Sequence, residues 1–155
     1  MTTVLTYGTF DLFHIGHLNL IERLVAMGDR LIVAVSTDEF NAVKGKKSVI
    51  SYDDRARIVS SIKGVDLVIP ERSWEQKEQD IREHGVDLFV MGDDWAGKFD
   101  HLTELCEVRY LPRTEGVSST GLKQMLRALD PSHLEEMQDA LDTLRRLLSH
   151  YGDLT

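Results

Sequence analysis

One cysteine, three prolines and no apolar run long enough to cross a bilayer narrow the possibilities before any residue is read for chemistry. Cys106 has no second cysteine to pair with and no neighbours at zinc-ligand spacing, so neither a disulfide framework nor a structural zinc site is expected, and a plain buried thiol is. The chain opens directly into a strand pattern, with no basic segment ahead of an apolar one; no secretory leader is expected, and the expected location is the cytoplasm. Positive charge is in deficit, with 18 Lys and Arg against 26 Asp and Glu and a net charge of −8. Nonspecific nucleic-acid binding needs a cationic surface to displace counterions, so no nucleic-acid partner is expected.

The cations that are present gather in one stretch, "KGKK" at 44–47 with Arg55, Arg57 and Lys63, while "HLEEMQDALD" near the C-terminal end is acidic. A basic locus inside an acidic protein suits a small anionic ligand better than a polymer. A solvated loop tip is the competing reading of "KGKK".

At 155 residues and 42% hydrophobic, the chain suits one compact domain with a proper core. Apolar runs of strand length occur at 4–7, 31–36, 65–69, 86–91 and 107–111, separated by helix-period stretches. Leu18, Leu20, Ile21, Leu24 and Val25 fall on one stripe, and Ile58, Val59 and Ile62 on another. Alternating strands and helices, with strands apolar throughout, predict an α/β protein whose parallel sheet is covered on both faces. Ligands then bind beyond the carboxyl ends of the strands. The segments following the first, second, fourth and fifth strands are "GTFDLFHIGH", "STDEFNAVKGKK", "GDDWAGKFD" and "PRTEGVSST", and all are expected on one edge.

In the first of these, Gly8 lets the backbone turn and approach a ligand, and Gly16 allows close packing where the next helix begins. His14 and His17 are three apart, so one helical turn points both rings the same way. Two imidazoles at a helix N-terminus can donate to phosphate oxygens and stabilise developing charge. A pair of structural histidines and a two-histidine metal site compete with this phosphate grip; the metal site lacks the usual spacing of four and a third ligand. The stretch 92–99 fits G-x-x-x-x-G-K, yet Phe99 stands where a magnesium-holding Ser or Thr is needed, and Asp93 and Asp94 would repel phosphate. A carboxylate there is better suited to accept from a base amino group, as from cytosine N4. In "RTEGVSST", Arg113 and free N–H groups could form a second anion site, with Ser118 or Ser119 as an ordinary helix cap in the competing reading.

Together, "GTFDLFHIGH" and "RTEGVSST" resemble the signature pair of the cytidylyltransferases in the HIGH-motif nucleotidyltransferase superfamily, with the resemblance running from Thr3 to about Leu126. "YGTFD", "STDEFN", "SWEQKEQDI" and "VMGDDWAGKFD" are similar to the branch that uses glycerol 3-phosphate. The resemblance implies a Rossmann-like three-layer α/β/α fold on a five-stranded parallel sheet, a catalytic domain over 1–129, and the reaction of CTP with glycerol 3-phosphate to give CDP-glycerol and pyrophosphate. It implies Mg²⁺ with CTP, and a homodimer formed through the catalytic domain. Carried onto this sequence, His14, His17, Lys44, Lys46 and Arg113 become the catalytic set. The nucleotide is expected against Gly8, Thr9, Phe10, His14, Ile15, Gly16, His17, Lys46 and Asp94, and against Arg113, Thr114, Glu115, Gly116, Val117, Ser118, Ser119 and Thr120. Lys44, Lys77, Arg55 and Lys63 are expected at the acceptor, Lys77 having an exposed helix charge as its alternative, and Asp11 is expected to orient either Mg²⁺ or its own loop. Ile15 stands where relatives often carry Trp, and Lys63 where arginine is common, which loses bidentate geometry.

The tail, 130–155, lies beyond the resemblance. Leu134, Met137, Leu141, Leu144, Leu148 and Tyr151 alternate steps of three and four, predicting an amphipathic helix from about Pro131 that packs on its own domain or joins subunits.

Overall fold

The computed structural model of the chain describes residues 1–128 and 131–152. Two compact units are present, Met1–Ser119 and Thr120–Thr155. The expected boundary between 129 and 130 and the side chain of Tyr151 lie outside the described residues.

The first unit runs β1 (Thr3–Gly8), α1 (Ile15–Val25), β2 (Arg30–Ser36), α2 (Asp38–Val43), α3 (Tyr52–Ser60), β3 (Leu67–Glu71), α4 (Gln76–His84), β4 (Leu88–Gly92) and β5 (Glu107–Leu111), with short 3₁₀ turns at Asp93–Trp95 and Asp100–Glu104. All four strand pairings are parallel, in the order β3-β2-β1-β4-β5. The five expected strands are therefore all present, in one parallel sheet. The chain winds outward from β1 to β3 and then returns to the other side of β1, so the topology splits between β1 and β4. Their carboxyl ends flank the crevice in which such sheets take their ligands.

Strand alternation sends successive side chains to opposite faces, and each face has its own core. Val4, Val33, Val35, Leu88 and Val90 pack with Ile21 and Leu24 of α1 and Val59 of α3. On the other face, Leu5, Ile32, Ala34, Phe89 and Met91 pack with Ile81 of α4 and with Phe99 and Leu102. These are the three layers that the pattern predicts. Cys106 is half-buried beside the second cluster rather than fully enclosed.

β3 starts two residues later than its apolar run, because Asp66 is used as a clasp. Its N–H donates to Leu31 O at 2.9 Å and its carboxylate accepts from Leu31 N–H at 2.8 Å. The strand then continues through Pro70 to Glu71, which a sheet edge tolerates because the missing N–H leaves no ladder bond unmade.

In the second unit, α5 (Ser119–Ala128) starts on the last residue of the first, and α6 spans Pro131–Gly152, the helix expected from the tail. Among the described residues no helix is long and apolar enough to cross a membrane.

The turn between α1 and β2 leaves no room for a side chain at Gly28. A Cβ there would stand 2.6 Å from Val4 Cγ2 and 2.7 Å from the Thr2 carbonyl oxygen, and the latter is backbone that cannot swing away. Gly28→Ala is expected to lower stability by about 1–3 kcal/mol, as overpacking does, read as a lower urea midpoint with unchanged slope.

Candidate active site

The loop after β1 is shaped by strain. Phe10 and Leu12 have φ of 53° and 49°, in the left-handed region that side chains avoid, and the Phe10 ring folds back so closely that a Cβ on Gly8 would stand 2.8 Å from it. The loop delivers His14 as the N-cap of α1. Gly16 N–H donates to His14 Nδ1 at 3.0 Å, and His14 N–H donates to His17 Nδ1 at 3.3 Å, a capping box built from two imidazoles. The rings stack with centroids 3.9 Å apart, and Phe10 and Phe13 flank His17.

This arrangement fixes the tautomers. Each Nδ1 is an acceptor, so each neutral ring carries its proton on Nε2. Burial lowers the pKa of His14, and burial together with the neighbouring His14 pushes His17 down to about 4. At neutral pH both rings are uncharged N–H donors. His14 Nε2 lies 3.4 Å from Ser119 Oγ, whose own O–H is given to the Asp11 carbonyl at 2.7 Å. The structural and phosphate-gripping readings of the pair are thus compatible: Nδ1 of each ring caps the helix and Nε2 remains a donor.

Two buried charges hold the surrounding loops. The Asp11 carboxylate accepts from the N–H groups of Val49 at 2.7 Å, Ile50 at 2.9 Å and Leu12 at 3.1 Å. Arg55, 1% exposed, donates from Nη1 to the carbonyls of Thr9 and Ser36 at 2.7 and 2.8 Å, from Nε to Ile50 O at 2.9 Å, and from Nη2 to Asp38 at 2.7 Å. Four of its contacts are therefore with this chain's own acceptors. Expected at the acceptor substrate, Arg55 is instead the post to which the ends of β1 and β2 are tied. Asp11 has the loop-orienting geometry of its two expected roles.

Around the end of β3 the chain builds a network of lysines and aromatic rings. Lys77 is buried, pairing with Glu71 at 2.8 Å and standing 4.3 Å over the Tyr7 ring, so it is no exposed helix charge. Lys44 Nζ donates to Ser36 Oγ at 3.0 Å, lies 3.7 Å from Glu71, and sits 4.3 Å over Phe40 and 5.5 Å from the centre of Trp74. Burial lowers its pKa, against the pull of Glu71. Ser36 donates in turn to Glu71. Tyr7 O–H donates to Asp80 at 2.5 Å, and burial and then that bond raise its pKa. Lys46 is exposed at the tip of the loop.

The loops after β4 and β5 meet directly. Arg113 donates to Asp94 through Nε at 3.1 Å and Nη2 at 2.5 Å, a bidentate pair between the expected anion-binding arginine and the expected base-reading carboxylate. The stretch that nearly spells a P-loop forms only a 3₁₀ turn at Asp93–Trp95, with no helix presenting its N-terminus. Asn19 Nδ2 donates to Thr114 Oγ1 at 3.4 Å and Arg23 to Pro112 O at 2.8 Å, docking 112–119 against α1. Thr120 opens the second unit.

Lys63 is not brought to this edge. It lies between α3 and β3, and the residues after it are clasped to Leu31 near the start of β2, at the amino end of the sheet. Sequence reasoning missed Glu71, Asp80 and Tyr7. Their one signal was position, since Glu71 ends the third strand, whose following loop carries no glycine or histidine to draw notice. No group of three His, Cys, Asp or Glu among the described residues could hold a metal, and the Asp11 oxygens already accept backbone N–H groups.

The depressed His17 pKa links charge to stability. An unfolded chain takes up this proton near pH 6.5, the folded chain only at about 4. The contribution is thus complete above pH 6.5 and lost as the pH falls toward 4. We expect about 2 kcal/mol of stability to disappear across that window in urea titrations, and His17→Gln, which does not titrate, to flatten the slope. Arg55→Leu is expected to cost about 3–5 kcal/mol, because it strands three carbonyls at once; the denaturant midpoint measures it.

A family model described as cytidylyltransferase-like matches residues 5–125. Glycerol-3-phosphate cytidylyltransferase of Bacillus subtilis (strain 168) is 58% identical over 129 residues, covering 83% of this chain and 100% of the relative. The Staphylococcus aureus (strain NCTC 8325 / PS 47) protein of the same name is 56% identical, covering 84% of this chain and 98% of its own. Ethanolamine-phosphate cytidylyltransferase of Mus musculus is 31% identical, covering 94% of this chain and 37% of the relative. Among solved structures, a lipopolysaccharide core biosynthesis protein from Thermoplasma volcanium GSS1 shares the fold, with a TM-score of 0.63, 22% identity, and coverage of 74% of this chain and 99% of that one. The matched segment takes in the loops that the sheet gathers at its carboxyl edge, and the chain belongs to the cytidylyltransferase-like family.

Proposed function

We propose that this chain transfers the cytidylyl group of CTP to sn-glycerol 3-phosphate, yielding CDP-glycerol and pyrophosphate. The observation that carries the choice of acceptor is the identity of 56–58%, over essentially their whole length, to relatives named for that activity. The geometry supports the type of reaction. An acceptor phosphate oxygen, ionised at neutral pH, attacks the α-phosphorus of CTP in line; a P–O bond forms as the bond from that phosphorus to the bridging oxygen breaks, and pyrophosphate leaves with the electron pair. No general base is required. What the reaction needs is orientation and fixed donors for the charge on the transferring group.

In this reading His14 and His17 donate from Nε2 to the phosphate oxygens, aimed by the capping bonds at Nδ1. Lys46 and Arg113 hold CTP phosphates, Asp94 accepts from the cytosine amino group, and the backbone and hydroxyl of Thr9 with the backbone of Phe10 line the nucleotide. Lys44 and Lys77 face the acceptor phosphate, while Arg55 and Asp11 position the loops. Residues 114–119 wrap the nucleotide. Mg²⁺ enters as the companion of the triphosphate, and no step is assigned to it. The setting that accompanies this reading is a cytoplasmic homodimer built through the catalytic domain, supplying CDP-glycerol to a polymer of the teichoic acid kind.

Pyrophosphate release from CTP is expected with glycerol 3-phosphate and not with phosphocholine or phosphoethanolamine. His17→Ala should slow it about 10²–10³-fold, the effect of removing one preorganised donor. Equal release with phosphoethanolamine would move the acceptor assignment; CTP binding without release under any acceptor would make the chain a nucleotide-binding regulator.

A further inference from the structure

α6 is a helix of 22 residues, and every side chain described on it is exposed. Its apolar stripe, Leu134, Met137, Leu141, Leu144 and Leu148 widened by Leu147, is between 48% and 68% exposed. Helices in water owe most of their stability to burying such a face, so a stripe of this length calls for a partner. The steps of three and four are those of a knobs-into-holes seam, with leucines at 134, 141 and 148 in one column and Met137 and Leu144 in the other.

Charge along the helix selects the partner. Residues 131–143 carry Glu135, Glu136, Asp139 and Asp142 and no Lys or Arg; residues 144–152 carry Arg145 and Arg146 and no Asp or Glu. Side by side in the same direction, two such helices would set four carboxylates against four. In opposite directions, the basic end of each meets the acidic half of the other, and the helix is complementary to itself. The acidic half also disfavours an anionic membrane surface, which is met by helices with basic polar faces. The B. subtilis relative is matched over its whole length by 83% of this chain, and the family model ends at residue 125, so α6 lies beyond the segment that the family model matches.

We propose that α6 pairs in antiparallel fashion with α6 of a second copy of this chain, as a self-association contact separate from the sheet domain. In the register that aligns the two columns, Met137 of one copy meets Leu148 of the other and Leu141 meets Leu144, with the two-fold axis between 142 and 143. Asp139 and Arg146 then share a level on the faces turned away from the seam, so the complementarity acts between the acidic and basic halves of the helices rather than through a contact pair.

The test uses the full-length protein with Cys106→Ser, which removes the single native thiol. Met137→Cys with Leu148→Cys should form an intermolecular disulfide on mild oxidation. These two positions are about 16 Å apart along one helix, too far to bridge within a chain. Met137→Cys alone should not cross-link, because its own counterpart lies equally far away. Leu141→Asp with Leu144→Asp should raise the concentration at which the assembly dissociates, followed by light scattering over a dilution series, by about tenfold or more. Fluorescence of Trp74 and Trp95, both in the first unit, reports that the sheet domain remains folded. The proposal is overturned if the dissociation curve is unmoved and no disulfide forms, or if Met137→Cys alone cross-links as readily as the pair, which is the parallel arrangement.

Discussion

A buried guanidinium organises this site without facing it. Arg55 reaches up from α3 and closes hydrogen bonds to the carbonyls of Thr9, Ser36 and Ile50. These mark the exit of β1, the exit of β2, and the segment leading into α3 itself. Such carbonyls at strand ends have no ladder partner and would otherwise need water. Meeting them with a single planar group fixes the distance between the two loops that follow. Asp11 does the reciprocal task, offering its carboxylate to the N–H groups of 49 and 50 from the other side. Charge, hydrogen bonding and loop shape are one interlocked problem here, and the strained φ values of Phe10 and Leu12 are held within it.

Much of this was legible in the sequence because it depends on patterns local to the chain. Continuous apolar runs marked the five strands, and the spacing of His14 and His17 with Gly16 announced a helix start. What the sequence could not display was pairing across space. Arg55 looks like any helix cation until the fold buries it. Lys63 sits in the same basic stretch, yet the crossover from α3 to β3 carries it to the far edge of the sheet. Lys77 lies in a polar run, "EQKEQ", with no hint that Glu71 and Tyr7 would enclose it. The late start and late end of β3 were hidden for a related reason: Asp66 looks like part of a strand and Pro70 looks like its end, while the clasp to Leu31 and the edge position reverse both expectations.

The lysine network shows how the fold carries cations into a largely apolar region. Glu71 serves both Lys44 and Lys77, while Phe40, Tyr7 and Trp74 turn ring faces toward the ammonium groups. The rings and the single carboxylate share the task of replacing water. Asp80, bonded to the Tyr7 hydroxyl behind them, adds a second buried carboxylate, so the cluster matches two ammonium groups with two acids.

The bidentate bond between Asp94 and Arg113 gives the edge a logical character. Both side chains reach water, Arg113 at 64% and Asp94 at 41% exposed, so either is released from the other at little cost and the vacated partner is hydrated. Each half of the pair can then be met by itself, an anion at Arg113 or an N–H donor at Asp94. The contact therefore behaves as a disjunction, opening to either fragment as readily as to the whole.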